Sequence, residues 1–165
     1  MRNHPQTVKL FFMLALIFFL EVSIAPLMGS IYGSAVIFFP AVFFFCVCLL
    51  PSRSAFVYAG IFGILRDSIS LYPPGVWTLG FIAGVFLEQI LMREMNMEKI
   101  SARTLAAVSG VALSYGVAFL VIAFYNHAMP PGGPMIREAG MNGVWIVGMV
   151  LASRLTYMRF LRYTL

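Results

Sequence analysis

Charge is what this sequence has least of. Only 10% of its residues are Asp, Glu, Lys or Arg, against about a quarter in a soluble globular domain. It has six carboxylates, two histidines and two cysteines. So sparse a set holds no Ser/His/Asp constellation, no phosphate-cradling glycine loop and no internal repeat of 20–50 residues. Cys46 and Cys48 are two residues apart in an apolar run, and neither His4 nor His127 lies at their depth. They read as small buried hydrophobes, with no metal or cofactor site expected. What fills the sequence is apolar side chain, 61% of all residues, with a mean hydropathy of +0.93. The composition is that of a multi-pass membrane protein.

A bilayer core of about 30 Å takes roughly 20 helical residues to cross. Apolar runs and their breakers lay down six spans, at residues 10–28, 31–50, 55–72, 75–92, 104–125 and 141–158. Pro51 ends the second, and Pro40 predicts a kink near its centre. Pro73-Pro74-Gly75 joins the third to the fourth. The joins at 28–31, 51–54 and 72–75 are too short for anything but antiparallel neighbours. The expected architecture is therefore all-α, a single compact bundle over residues 1–165.

Charge distribution orients it. Arg2, Lys9, Arg53, Arg93, Lys99, Arg103, Arg159 and Arg162 all fall on one side of a six-span layout, and Arg137 alone, beside Glu138, on the other. By the positive-inside rule both termini and the 93–103 loop are cytoplasmic, and 126–140 is an outer loop. The net charge of +5 is explained by this bias without any nucleic acid. The N-terminus has the outline of a signal peptide, but its apolar run is long and Glu21 interrupts it, so it reads as a retained first helix.

Five charges remain inside the spans, where each costs several kcal/mol unless paired or functional. At 1.5 Å per residue they sort into two layers. Glu21, Arg66 and Asp67 lie in the outer half, and Glu88 and Arg154 in the cytoplasmic half. Each layer holds both signs, so pairing inside the bundle is the expectation, with a proton or ion pathway as the alternative. Asp67 is expected to cap or pair near the turn into the fourth helix. Glu88 and Arg154 are expected to face each other. Ala106, Gly110, Ser114 and Ala118 form a small-residue stripe, and Gly80 and Gly84 a G-x-x-x-G. Such stripes serve either internal packing or docking of another membrane protein, with Gly110 and Ser114 the candidate docking positions.

Gly63-Ile64-Leu65-Arg66-Asp67, five further residues, and then Pro73-Pro74-Gly75 resemble the G-x-x-x-D-x5-P-x-G signature of the rod shape-determining MreD family. The matching positions are Gly63, Asp67, Pro73 and Gly75; Arg66 is outside the pattern. The likeness covers residues 60–84, and length, span count and cytoplasmic termini agree with it. It implies a non-enzymatic protein of the bacterial inner membrane, part of the elongation machinery that guides lateral peptidoglycan synthesis. The implied partners are the bitopic protein MreC and, through it, the MreB filament and the wall synthase RodA with its transpeptidase.

A second resemblance is one of layout alone. The substrate-binding S components of energy-coupling-factor vitamin transporters are also six-helix bundles. They tend to carry an Ala-x-x-x-Ala face on the first helix, whereas here Phe11 and Phe19 flank Ala15. The 126–140 segment offers Asn126, His127, Arg137 and Glu138 to a ligand. A small membrane subunit with an unrelated partner is a third reading.

Overall fold

The computed structural model describes residues 4–32, 39–48, 50–70, 72–94, 100–126 and 132–164, the backbone alone for 4–6, 24–32, 100, 132, 134 and 152–164. Among them the protein is all-helical. Its six helices are α1 (His4–Tyr32), α2 (Phe39–Val47), α3 (Ser52–Ile69), α4 (Val76–Glu94), α5 (Ile100–Asn126) and α6 (Gly132–Thr164). Two helical stretches among the described residues, Val76–Glu94 and Ser101–Asn126, are long and apolar enough to cross a membrane.

Local chemistry sets the ends of these helices. Pro51 holds an extended backbone before α3 (ψ 144°), because a proline ring cannot continue a helix from the residues before it. Ser70 closes α3, also extended, and its N–H returns to the carbonyls of Arg66 and Asp67. Two prolines then turn the chain, and Gly75 adopts a φ of 95°. That is left-handed backbone which only glycine takes without a Cβ penalty. The α4 helix starts at the next residue.

The second helix departs from expectation. A span over 31–50 was anticipated; residues 31 and 32 belong to α1, residues 33–38 lie outside the described ones, and α2 covers nine residues, about 13 Å of rise. Pro40 is the second of these nine. Phe39, Pro40, Ala41, Phe43, Phe44, Cys46 and Val47 are all buried. A helix apolar on every face is stable only when enclosed, and α2 is enclosed: α1, α5 and α6 pack around it.

The enclosing core is aromatic. Phe43 stacks on Phe81 at 4.9 Å between ring centroids, and Phe44 meets the same ring edge-on. Phe39 packs on Phe18 and Phe62. Such pairs each add about 0.5–1.5 kcal/mol beyond their buried area. Phe44 reaches this position because α4 and α5 both present glycine to it. A Cβ at Gly84 would lie 2.5 Å from the Gly110 carbonyl oxygen and 2.6 Å from the Phe44 ring, and one at Gly80 would lie 2.6 Å from the Ser114 carbonyl.

The small-residue stripe is thereby assigned, and its docking alternative is corrected. Ala106, Gly110, Ser114 and Ala118 are buried, and Gly110 and Ser114 are spent on the α4–α5 contact. They are not an outward face. The 126–140 segment is likewise no loop throughout, since α6 begins at Gly132.

Gly84→Ala is expected to lower unfolding stability by about 1–3 kcal/mol through overpacking. Gly116→Ala, on the same helix system, has nothing within 4 Å of the new methyl and should be neutral or stabilising by up to about 1 kcal/mol. Denaturation of the detergent-solubilised protein compares the two. Equal losses would contradict the close α4–α5 approach.

Candidate functional site: a closed polar ring drawn from six helices

Asp67 occupies the position just before α4 in space, though α4 starts nine residues later in sequence. Its Oδ2 accepts hydrogen bonds from the Gly75 N–H (3.0 Å), the Thr78 N–H (3.1 Å) and the Thr78 hydroxyl (2.6 Å). Its Oδ1 accepts from the Trp77 N–H (2.8 Å). The first N–H groups of any helix lack intrahelical partners and carry partial positive charge. One carboxylate therefore satisfies two of them, those of Trp77 and Thr78, together with the Gly75 N–H just before the helix, and sits favourably at the positive end of the helix dipole. Gly63 makes this reachable, because a Cβ there would lie 2.5 Å from the Thr78 Cα. The expected capping role is met, and the counterpart is the α4 backbone, not Arg66.

Arg66 turns to the other side of α3 and is 5% exposed. Its Nη1 donates to Glu21 Oε1 at 3.3 Å, joining α3 to α1. The guanidinium carbon lies 4.5 Å from the centroid of Trp77, a cation–π contact strengthened by the absence of water. The second oxygen of Glu21 accepts the Phe39 N–H at the head of α2. Of the expected outer charge layer, Glu21 and Arg66 form an ion pair, whereas Asp67 is spent on the head of α4.

Three further side chains close the circuit. Trp77 meets Tyr115 edge-on at 5.2 Å. The Tyr115 hydroxyl accepts from Asn142 Nδ2 (3.2 Å), and Asn142 Oδ1 accepts the Ala41 N–H (3.0 Å). From Ala41 the path returns through the first turn of α2 to Phe39 and Glu21. Every helix contributes a member: Glu21 from α1, the α2 head, Arg66 from α3, Trp77 from α4, Tyr115 from α5 and Asn142 from α6. Asn142 is fully buried and also donates to the Glu138 carbonyl at 2.9 Å. Reading charges alone passed over it. An amide in the apolar run MNGVWIVGMVL invites the same question as a charge would.

Of the pair expected in the second charge layer, the described side chains include Glu88. Glu88 is completely buried, and its Oε1 accepts from the Cys48 thiol at 2.6 Å. Cys48 is therefore a polar partner and not merely a small hydrophobe. The side chain of Arg154 lies outside the described residues, so the expected Glu88–Arg154 contact does too. Nearby, Gln89 accepts from the Ser52 hydroxyl at 2.7 Å, tying α3 to α4. Among the described residues no three His, Cys, Asp or Glu side chains gather as metal ligands. A groove of about 330 Å³ runs between α5 and α6, lined by Tyr115, Gly116, Phe119, Met135, Ile136 and Ala139 among others. Chemically the ring binds helices to one another, and its hydrogen-bonding groups are turned inward.

Comparison with family models, with curated proteins and with solved structures returns no match.

Two measurements test the ring. Asp67→Asn keeps one acceptor oxygen and should cost about 1–2 kcal/mol, whereas Asp67→Leu strands three N–H groups and should cost more than about 3 kcal/mol. Equal, small losses would remove Asp67 from the cap. Glu21→Gln and Arg66→Met should each destabilise by about 3–5 kcal/mol by leaving a buried charge alone, with the double variant costing well under their sum. Additivity in that cycle would contradict the ion pair.

Proposed function

We propose that this protein is a non-enzymatic, multi-pass component of the bacterial inner membrane that supports lateral peptidoglycan synthesis by binding a bitopic partner. The resemblance to the MreD family supplies the reading. The observation that carries it is the behaviour of the four matching residues as one unit. Gly63 admits the α4 backbone, Asp67 caps it, and Pro73 and Gly75 make the turn that brings the two together. The spacing of the motif has a physical purpose, since a carboxylate one turn from the end of α3 reaches the start of α4 only across a short, sharp connection.

The membrane assignment has its own support. Besides two helices of spanning length, the outward surface is apolar: Phe12 is 67% exposed, Leu120 65% and Phe124 80%. Exposed apolar area on this scale is costly in water and costless in lipid. The gathering of basic residues at one side of a six-span layout supports the reading that both termini are cytoplasmic. A scaffold of this kind acts by holding a rigid outer surface to its partner, and the ring and the phenylalanine core supply the rigidity. Through the bitopic MreC-like protein it would act on the MreB-like filament and on RodA with its transpeptidase.

Affinity purification of the full-length protein from the membranes of its own host tests the reading. Retention of an MreC-like bitopic protein, in a ratio that survives detergent exchange, is the expected result. The S-component alternative predicts instead ATPase subunits in the eluate and a saturable rise in thermal stability with a vitamin. Either of those in place of the bitopic protein would overturn the assignment.

A further inference from the structure

Arg137 lies on α6 with no close ion pair of its own among the described residues. The groove shared by Met135, Ile136 and Ala139 with Tyr115, Gly116 and Phe119 sets the first turns of α6 beside residues 112–119 of α5. The apolar stretch Ser101–Asn126 has 26 residues, about 39 Å of rise against a hydrocarbon core of about 30 Å. On any centred placement the level of residues 112–119 is inside the core. Arg137, expected in an outer loop, thus lies at hydrocarbon depth.

It also faces outward. Arg137 is exposed, and it shares its side of α6 with Val144 (69% exposed), Val147 (45%) and Leu151 (56%). Among the described residues no ion pair or hydrogen bond involves its side chain. Glu138 follows it directly but is turned about 100° around the helix, half-buried, and in the fields of both Arg66 and Arg137 without a close ion pair to either. Charged side chains at this depth almost always face a bundle interior and pair. An outward guanidinium on an apolar face therefore calls for an acid from another molecule.

We infer that the outward face of α6 around Arg137 is a docking surface for a partner transmembrane helix that presents a carboxylate at the same depth. The inference rests on the membrane reading above and not on the assignment to cell elongation. Charge complementarity identifies the occupant, because a wholly apolar helix would leave the guanidinium bare. Gly140 lies on the same face with nothing within 4 Å of a Cβ built on it, so a partner backbone can come close beside the arginine.

The test uses the full-length protein in phosphatidylcholine vesicles with a synthetic polyleucine transmembrane helix as probe, bearing one Glu or one Gln at the level of Arg137. Association is followed by energy transfer. The Glu helix is expected to bind at least about tenfold more tightly than the Gln helix, as a close ion pair in a dry interface gives. Arg137→Gln should abolish that preference. Gly140→Leu, which the fold accommodates, should weaken binding of the Glu helix while leaving unfolding stability unchanged. Equal binding of the two helices, or a preference untouched by Arg137→Gln, overturns the inference. So does a Glu preference that vanishes when phosphatidylglycerol is added, which would assign Arg137 to a lipid phosphate. Release of the protein from the vesicles by alkaline wash would overturn the membrane reading and the docking surface together. A MreC-like protein that fails to co-purify would leave the probe result standing.

Discussion

The Glu21 carboxylate is the constraint on which the rest of the bundle depends. One oxygen meets the Arg66 guanidinium and the other the Phe39 N–H at the head of α2. Neither arrangement is favourable in isolation. A buried carboxylate and a buried guanidinium each lose several kcal/mol of hydration, and their attraction recovers it only when the remaining lone pairs and protons are also satisfied. The buried N–H groups at the head of a helix are likewise unfavourable unless they find acceptors. Each difficulty is the remedy for the other. The carboxylate that neutralises Arg66 also closes the α2 terminus, and Asn142 takes the next available donor, since Pro40 has none.

How much of this was legible in the residues depends on the distance over which each contact acts. The α3–α4 hairpin is local: Asp67 reaches donors eight to eleven residues on, and the prolines and Gly75 announce the turn. That part was readable, as was the matched depth of Glu21 and Arg66, because helical rise converts sequence position into depth. Azimuth is different. Depth says nothing about which way a side chain points around its helix, so the roles of Gly110 and Ser114, inward against Gly80 and Gly84, could be offered only as one of two options. Nor did hydropathy reveal that Phe39–Val47 is enclosed by other helices, because an apolar run looks the same whether it faces lipid or a protein core.

Aromatic residues do two jobs that composition merges into one figure. Phe39, Phe43, Phe44, Phe62 and Phe81 are fully buried and interlock, while Phe12, Phe19, Phe86 and Phe124 are exposed. Only the first set specifies the fold. Trp77 belongs to both the core and the polar ring, since its ring meets Arg66 in one contact and Tyr115 in another. A tryptophan is suited to that place because its ring is apolar enough for the core yet attracts a cation.

The amide of Asn142 meets Ala41 across 101 residues of chain, and that separation has a consequence for biogenesis. A polypeptide is made from its N-terminus, so α2 emerges long before the residue that completes its head. The α3–α4 hairpin, closed by neighbours, is ready early and gives α2 a wall of phenylalanine to lie against. The last acceptor arrives only with α6. Closure at the head of α2 therefore waits on α6: until Asn142 is in place, the Ala41 N–H lacks the acceptor it has in the folded protein.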